Sequence, residues 1–306
     1  MKKKVLVITG PTGSGKTKLA IEMAKKLDGE IISADSMQIY KEMNIGTAKP
    51  TAEELSQAPH HMVDIIDIGE NFSVADYSKM AFSCIEDIIS RGKIPIVVGG
   101  TGLYINSIVD EINYFETGES TEFREKLNKI AEEQGNEVLY NELLEKDPEA
   151  AQRIHINDLK RIVRALEVYE FSKTTITEQQ KNSKEIEKKY DYIMIGLTTE
   201  RSILYDRINK RVDVMFELGL LEEARSIINK SDSLGTSYQA IGYKELKKYF
   251  DGECSLEEAK ECIKRESRRY AKRQLTWFRR NENILWLDIQ NDINDNINRV
   301  LEIFSK

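Results

Sequence analysis

Short runs of β-branched and aliphatic residues alternate along the chain with segments whose apolar positions recur every three or four residues. That is the pattern of an α/β fold on a parallel sheet. The runs KVLVIT (4–9), GEIISA (29–34), MVDIID (62–67), KIPIVVG (93–99), DYIMIGL (191–197) and ILWLDI (284–289) are expected strands. After the first, KTKLAIEMAKKL places Leu19, Ala20, Met23, Ala24 and Leu27 on one helical face. Between residues 114 and 189 the texture changes. EFREKLNKIAEEQG, EVLYNELLEKD and NDLKRIVRALEVYEFSK are charged, helical in period and free of strand pattern. This predicts an all-helical insertion (114–189) within an α/β core formed by 1–113 and 190–306, without internal repeats. The polar stretch 179–191 reads as a connection with a solvated helix face.

The 306 residues, 40% of them hydrophobic, suffice for a full core. The opening MKKKVLVITG has an apolar run of only about five residues, too short for a signal peptide or a membrane span, so a cytoplasmic chain is expected. Cys84, Cys254 and Cys262 are odd in number and far apart, which points to ordinary thiols rather than a disulfide framework or zinc site. His60 and His61 read as the entry to the MVDIID strand, and His155 has no evident partner. Without heptads or a large apolar face, a monomer is expected.

Residues 10–17, GPTGSGKT, stand between a predicted strand and a predicted helix, the context in which GxxxxGK[ST] cradles phosphates. Gly10, Thr12, Gly13, Ser14 and Gly15 supply a compact loop whose N–H groups face an anion; Lys16 adds charge, and the Thr17 hydroxyl can hold Mg²⁺. The fold class is therefore α/β, a P-loop NTPase-like parallel sheet flanked by helices. Nothing in the motif specifies a nucleoside.

Ligands of such sheets bind beyond the carboxyl ends of the strands. The segment DSMQIY places Asp35, Ser36, Met37 and Gln38 after the second strand, and GGTGLY places Thr101 after the fourth. A phosphotransferase strand ending in a carboxylate is missing at IPIVVGGTG, which makes Asp35 the leading acidic group, either in the crevice or as a helix cap. Arg207 and Arg211, four apart, are candidates for a diphosphate clamp or for a salt-bridged surface.

The net charge of −7 argues against indiscriminate polyanion binding. Locally, however, KECIKRESRRYAKRQLTWFRR (260–280) sets nine basic residues against Glu261 and Glu266, with Tyr270, Trp277 and Phe278 interleaved. Phosphate-backbone binding with base stacking uses this combination, and a solvated amphipathic helix produces it too. Lys160, Arg161 and Arg164 form a second basic face.

These blocks, with GPTGSGKT, ISADSMQIYKEMNIGTAKP, PHHMVDI, VVGGTGLYI, RIHINDLKRIVRALEV, RVDVMFELGLLEEA, YQAIGYKE and KRQLTWFRR in order up to about Trp286, resemble the bacterial tRNA dimethylallyltransferases, also called tRNA isopentenyltransferases. The resemblance implies transfer of a dimethylallyl group from dimethylallyl diphosphate to N6 of adenosine 37 of tRNA, without ATP hydrolysis. The cradle would then hold a prenyl diphosphate with Mg²⁺. Asp35 would act as base, with Thr101 at the reacting centre and Arg211 on the leaving group. Asp35, Ser36 and Gln38 would meet the flipped adenosine. The implied contacts to the anticodon stem-loop are Arg161 and its neighbours, the segment from Gln239 through Gly242 and Tyr243 to Lys244, and Lys272, Arg273, Gln274, Trp277 and Arg279. The resemblance points to a bacterial-type enzyme, since NRVLEIFSK closes the chain without the zinc finger of eukaryotic relatives. A small-molecule kinase, an adenylate isopentenyltransferase and a noncatalytic RNA-binding protein are the alternatives; the basic patches disfavour the first two, and Asp35 with Thr101 the third.

Overall fold

The computed structural model describes residues 2–112, 121–185, 187–230 and 235–305. In chain order the elements begin with β1 (Lys3–Thr9), α1 (Lys16–Leu27), β2 (Gly29–Ala34), α2 (Ala52–Gln57), β3 (His60–His61), α3 (Val74–Ser90), β4 (Ile94–Gly99) and α4 (Gly102–Val109). Five helices follow: α5 (Thr121–Gln134), α6 (Asn136–Lys146), α7 (Pro148–Arg153), α8 (Leu159–Ser172) and α9 (Ile176–Glu185). The chain ends with β5 (Tyr190–Thr198), α10 (Arg201–Glu217), α11 (Leu220–Lys230), α12 (Tyr243–Phe250), α13 (Leu256–Phe278), β6 (Leu285–Asp288) and α14 (Ile293–Phe304). Among the described residues, no helix is long and apolar enough to cross a membrane.

Two compact units result, Met1–Val109 with Lys189–Lys306, and Asp110–Lys188. The boundaries expected from sequence lie at 113/114 and 189/190; residues 113–120 fall outside the described residues. Of the polar connection 179–191, α9 takes the part up to Glu185, and Ile186 is outside the described residues.

The first unit holds a six-stranded, all-parallel sheet in the order β3-β2-β4-β1-β5-β6. Side chains alternate faces along each strand. Val5, Val7, Ile32 and Val97 pack with Tyr77, Ala81 and Ile85 of α3 and Ile105 of α4. Leu6, Ile8, Ile31 and Ile96 pack with Leu19, Met23 and Ala24 of α1 and Val300 of α14. Burial on both faces is why these strands read as continuous apolar runs. A further core joins Ile39, Tyr40 and Met43 to Leu220, Ala224, Tyr243, Leu246 and Ile263.

The expected third strand is corrected. Met62 and Asp64 lie at φ 63° and 56°, left-handed backbone that an extended strand excludes, and only Ile66 makes a bridge, to Tyr40. The histidines themselves form the short strand β3, with His61 Nε2 2.8 Å from Glu30 Oε2. Glu30 is buried and also held by Arg91 and Lys93.

The second unit, by itself, has only helices as regular elements among its described residues. Leu127, Leu139, Leu143, Ile162 and Leu166 form its core. Glu167, fully buried on α8, is bracketed by Arg124 Nε and Arg164 Nη1, each at 2.7 Å, because an uncompensated buried carboxylate would be costly. Asp147 caps α7 and accepts hydrogen bonds from Thr177.

Tyr77 tests the larger core. Its hydroxyl donates to Ser33 O at 3.1 Å, and its ring stacks on Tyr104 at 3.9 Å between centroids. In urea unfolding, Tyr77→Phe is expected to lose about 1 kcal/mol for the hydrogen bond and Tyr77→Ala about 3–5 kcal/mol for the cavity.

Candidate active site

The carboxyl ends of β1, β2 and β4, roofed by α10 and α13, enclose a crevice of about 580 Å³ within the first unit. The cradle forms between β1 and α1. Gly10, at φ 142°, lies so close to β5 that a Cβ would stand 2.7 Å from Leu197 O, so only glycine lets the loop leave the strand here. Gly15, left-handed at φ 79°, precedes the first turn of α1, and no side chain caps that helix N-terminus. Its free N–H groups therefore face the crevice side of the loop. The buried Ser14 hydroxyl has no partner among the described residues.

Thr12, Gly13, Lys16 and Thr17 line the crevice. Lys16 Nζ donates to Pro11 O at 2.7 Å. Burial, aided by the nearby Arg211 and opposed by Asp35, brings the Lys16 pKa down to about 7. Arg211 reaches Thr12 Oγ1 and Ala48 O, both at 3.4 Å, and burial lowers its pKa from the ordinary arginine value against the pull of Asp35 and Glu54. Arg207 lines the same crevice one turn earlier on α10 and is exposed.

The carboxylate side comes from β2. Residues after Ala34 form a turn, not a helix. Asp35 Oδ1 accepts from Met37 N at 2.9 Å, while Oδ2 has no partner among the described residues. Asp35 thus caps a turn and still presents an oxygen to the crevice. Gln38 is fixed at both ends of its amide: Ser33 Oγ donates to Oε1 at 3.0 Å, and Nε2 donates to Thr47 O and Ala48 O at 3.4 and 3.1 Å. Thr101 Oγ1 accepts from Ser36 N at 3.0 Å and donates to Ser36 Oγ at 3.3 Å, which ties the β4 end to the β2 end.

Helix α13 starts at a capping box, Ser255 with Glu258. Its basic residues divide. Lys260 and Lys264 both sit 2.9 Å from Asp213, Arg269 pairs with Glu266, and Arg268 donates to Asn209. Lys272, Arg273, Arg279 and Arg280 are exposed and pair with no carboxylate among the described residues; Arg273 lies over Tyr270 and Arg280 over Trp277. Trp277, 37% exposed, donates from Nε1 to Asn106 Oδ1 at 3.1 Å. Among the described residues of this segment, the cations without a carboxylate or amide partner therefore lie in the last turns of α13 and just beyond it.

Two of the residues expected to touch tRNA are buried in this structure. Tyr243 is fully buried and donates its hydroxyl to Glu223 at 2.7 Å, so it has no surface to offer. Gln274 is buried, and its amide is engaged within the protein, accepting from Thr12 N at 2.8 Å and donating to Gly100 O at 2.9 Å. Gln239, Gly242 and Lys244 line the crevice. In the second unit Arg164 is engaged with Glu167 and Arg161 with Asp158 at 3.3 Å; Lys160 and Arg161 are the exposed cations of that face.

Tyr270 is a site residue that the aromatic spacing alone did not assign. It lines the crevice near Thr101 and Gln274, and its pKa is pushed up to about 12 by burial and the Asp35 charge. Its i,i+4 relation to Gln274 was the available signal. His60 also lines the crevice, with Nδ1 2.8 Å from Ala58 O and Nε2 buried without a partner among the described residues; burial lowers its pKa.

The IPP transferase family profile matches residues 38–281. The chain is 52% identical over 285 residues to the tRNA dimethylallyltransferase of Acetivibrio thermocellus, covering 93% of this chain and 91% of that protein. It is 54% identical over 286 residues to that of Caldanaerobacter subterraneus subsp. tengcongensis, covering 92% and 91%. The crystal structure of full-length tRNA isopentenylpyrophosphate transferase from Bacillus halodurans matches with a TM-score of 0.74 at 43% identity, over 100% of this chain and 96% of that one. A eukaryotic dimethylallyltransferase acting on tRNA matches with a TM-score of 0.80 at 33% identity, over 94% and 74%.

The depressed Lys16 pKa sets a sign. Below about 7 the charged amine is held at a cost to the unliganded fold; between about 7 and the ordinary 10.5 that cost fades, so this group makes stability rise with pH. A diphosphate monoester reverses the shift. From pH 7 to 9 the proton uptake on binding is expected to rise from about half a proton to close to one, and binding to weaken by up to about tenfold per pH unit. Calorimetry in buffers of different ionisation enthalpy measures the uptake.

Proposed function

The chain belongs to the IPP transferase family, and from this we propose that it transfers the dimethylallyl group of dimethylallyl diphosphate to N6 of adenosine 37 in tRNA, beside the anticodon. One observation supports the reading most directly: a phosphate cradle with Lys16 and Arg211 opens into the same crevice as the Asp35 carboxylate and the Gln38 amide. A cradle alone suits any phosphorylated ligand. A carboxylate and an amide across from it suit a second reactant with an exocyclic amine.

The reaction breaks the bond between C1 of the prenyl group and the diphosphate oxygen and forms a bond from C1 to N6. The adenine amine is a weak nucleophile because its lone pair is delocalised into the ring. Asp35, accepting the N6 proton as the bond forms, offsets this, and such general-base assistance is typically worth about 10²–10⁴-fold. Charge accumulates on the departing diphosphate, where Lys16, the N–H groups of residues 13–17, Arg207 and Arg211 receive it. Ser36 and Gln38 hold the base, and Thr101 fixes Ser36.

Thr17 brings a hydroxyl, a hard oxygen donor, to the crevice wall beside the cradle. That donor fits Mg²⁺, which is typically held by one or two protein oxygens and substrate phosphates. When bound, Mg²⁺ would neutralise charge on the diphosphate oxygens.

Adenosine 37 must leave its stacked loop to enter the crevice. Lys272, Arg273, Trp277 and Arg279, with Gln239, Gly242 and Lys244, are the surface for the anticodon stem-loop, and Lys160 and Arg161 are further phosphate contacts. The enzyme works as a monomer in the cytoplasm, where its tRNA substrate is found.

The direct test mixes protein, Mg²⁺, dimethylallyl diphosphate and unmodified tRNA without ATP; digestion should yield adenosine heavier by one C5H8 unit. Product on free AMP alone, or ATP consumption without prenylation, sinks the reading. Asp35→Ala is expected to slow single-turnover chemistry by about 10²-fold or more at nearly unchanged tRNA affinity. Lys272→Ala is expected to weaken tRNA binding and flatten its salt dependence by roughly one phosphate contact, read from Kd against ionic strength.

A further inference from the structure

One wall of the crevice is irregular backbone, the segment between Tyr40 and Pro50, of which Gly46, Thr47 and Ala48 line the cavity. Such a segment has no ladder to satisfy its N–H groups and needs partners from elsewhere. Here three consecutive N–H groups converge on one carboxylate. Asn44 N, Ile45 N and Gly46 N donate to Glu223 of α11 at 2.8–3.0 Å, and Tyr243 Oη donates to the same group at 2.7 Å. A run of backbone N–H groups is an anion-binding concavity, and in this case the anion is the protein's own side chain.

The contact is also steric. Gly46 lies flat on the Tyr243 ring, where a Cβ would approach within 2.6 Å. Immediately beyond Gly46, the chain turns its Thr47 and Ala48 carbonyls toward Gln38 Nε2. A glutamine amide could present either its oxygen or its nitrogen on a given side. Two carbonyls on one side and the Ser33 hydroxyl on the other leave it a single orientation. Glu223 itself does not line the crevice.

We infer that Glu223 is a positioning residue for the acceptor base: by gathering the N–H groups of residues 44–46, it places the two carbonyls that orient the Gln38 amide. This rests on the reading that Gln38 meets the adenosine.

A double-mutant cycle tests it. Glu223→Gln keeps the shape but sets an NH₂ group against backbone donors. It is expected to raise KM for an anticodon stem-loop RNA about tenfold while changing KM for dimethylallyl diphosphate less than about twofold. On a Gln38→Ala background the same change should add less than about twofold, because the amide it orients is gone. Gly46→Ala, which lifts the wall off Tyr243, should reproduce the RNA effect, and the exposed neighbour Glu222→Gln should behave as wild type.

A wild-type RNA KM for Glu223→Gln overturns the inference. So does an undiminished effect in the Gln38→Ala background, and so does a loss confined to single-turnover amplitude at unchanged KM, which marks a purely structural role. If Gln38→Ala alone leaves the RNA KM untouched, the assignment of Gln38 to the base falls first and the inference with it.

Discussion

The amide of Gln274 is the clasp on which the crevice depends. Its oxygen takes the N–H of Thr12 in the cradle, and its nitrogen gives to the carbonyl of Gly100 at the end of β4. Both loops leave their strands with backbone groups that would otherwise be unpaired in a dry environment, and one side chain from α13 satisfies both. Four residues earlier, Tyr270 lies near Thr101, which in turn holds Ser36. A single helix face thus sets the mutual positions of the phosphate site and the turn that carries Asp35. The helix is seated by Ala271 against Leu204 and Ile208 of α10, the helix that also brings Arg211.

Charge is organised around this frame by desolvation. Lys16 and Arg211 are cations placed near one another in a crevice that disfavours both, and the Asp35 carboxylate only partly compensates. An anionic ligand relieves that mutual repulsion, so the cradle is most comfortable when filled. At the far end of α13 the arrangement is the reverse. Lys272, Arg273, Arg279 and Arg280 are solvated and unpaired, suited to contacts that are made and broken with a long polyanion.

Much of this was legible in the residue pattern. The four longer strands and β6 are short apolar runs because the sheet is covered on both faces, and GPTGSGKT carries its own geometry in its glycines. The segment MVDIID misled because composition says nothing of a left-handed φ at Met62 and Asp64; its apolar residues are buried against turns and helices rather than along a strand. The burial of Tyr243 and Gln274 was not legible for a related reason. Each stands in a segment with exposed cations, and only the helix register tells which side chain faces inward. Glu223 could not be recognised at all, since its partners are backbone groups nearly 180 residues away in sequence.

The larger unit is discontinuous, and this bears on how a nascent chain acquires the site. Strands β1, β2, β3 and β4 and the phosphate loop are all made within the first 109 residues. Strand β5 pairs with β1 only after the helical insertion has been synthesised, and Gln274 emerges later still. Until then the ribosome carries a phosphate motif with neither its roof nor its clasp. The crevice is complete only once Gln274 has been added, so that a chain terminated before it lacks the clasp that joins the cradle to the end of β4.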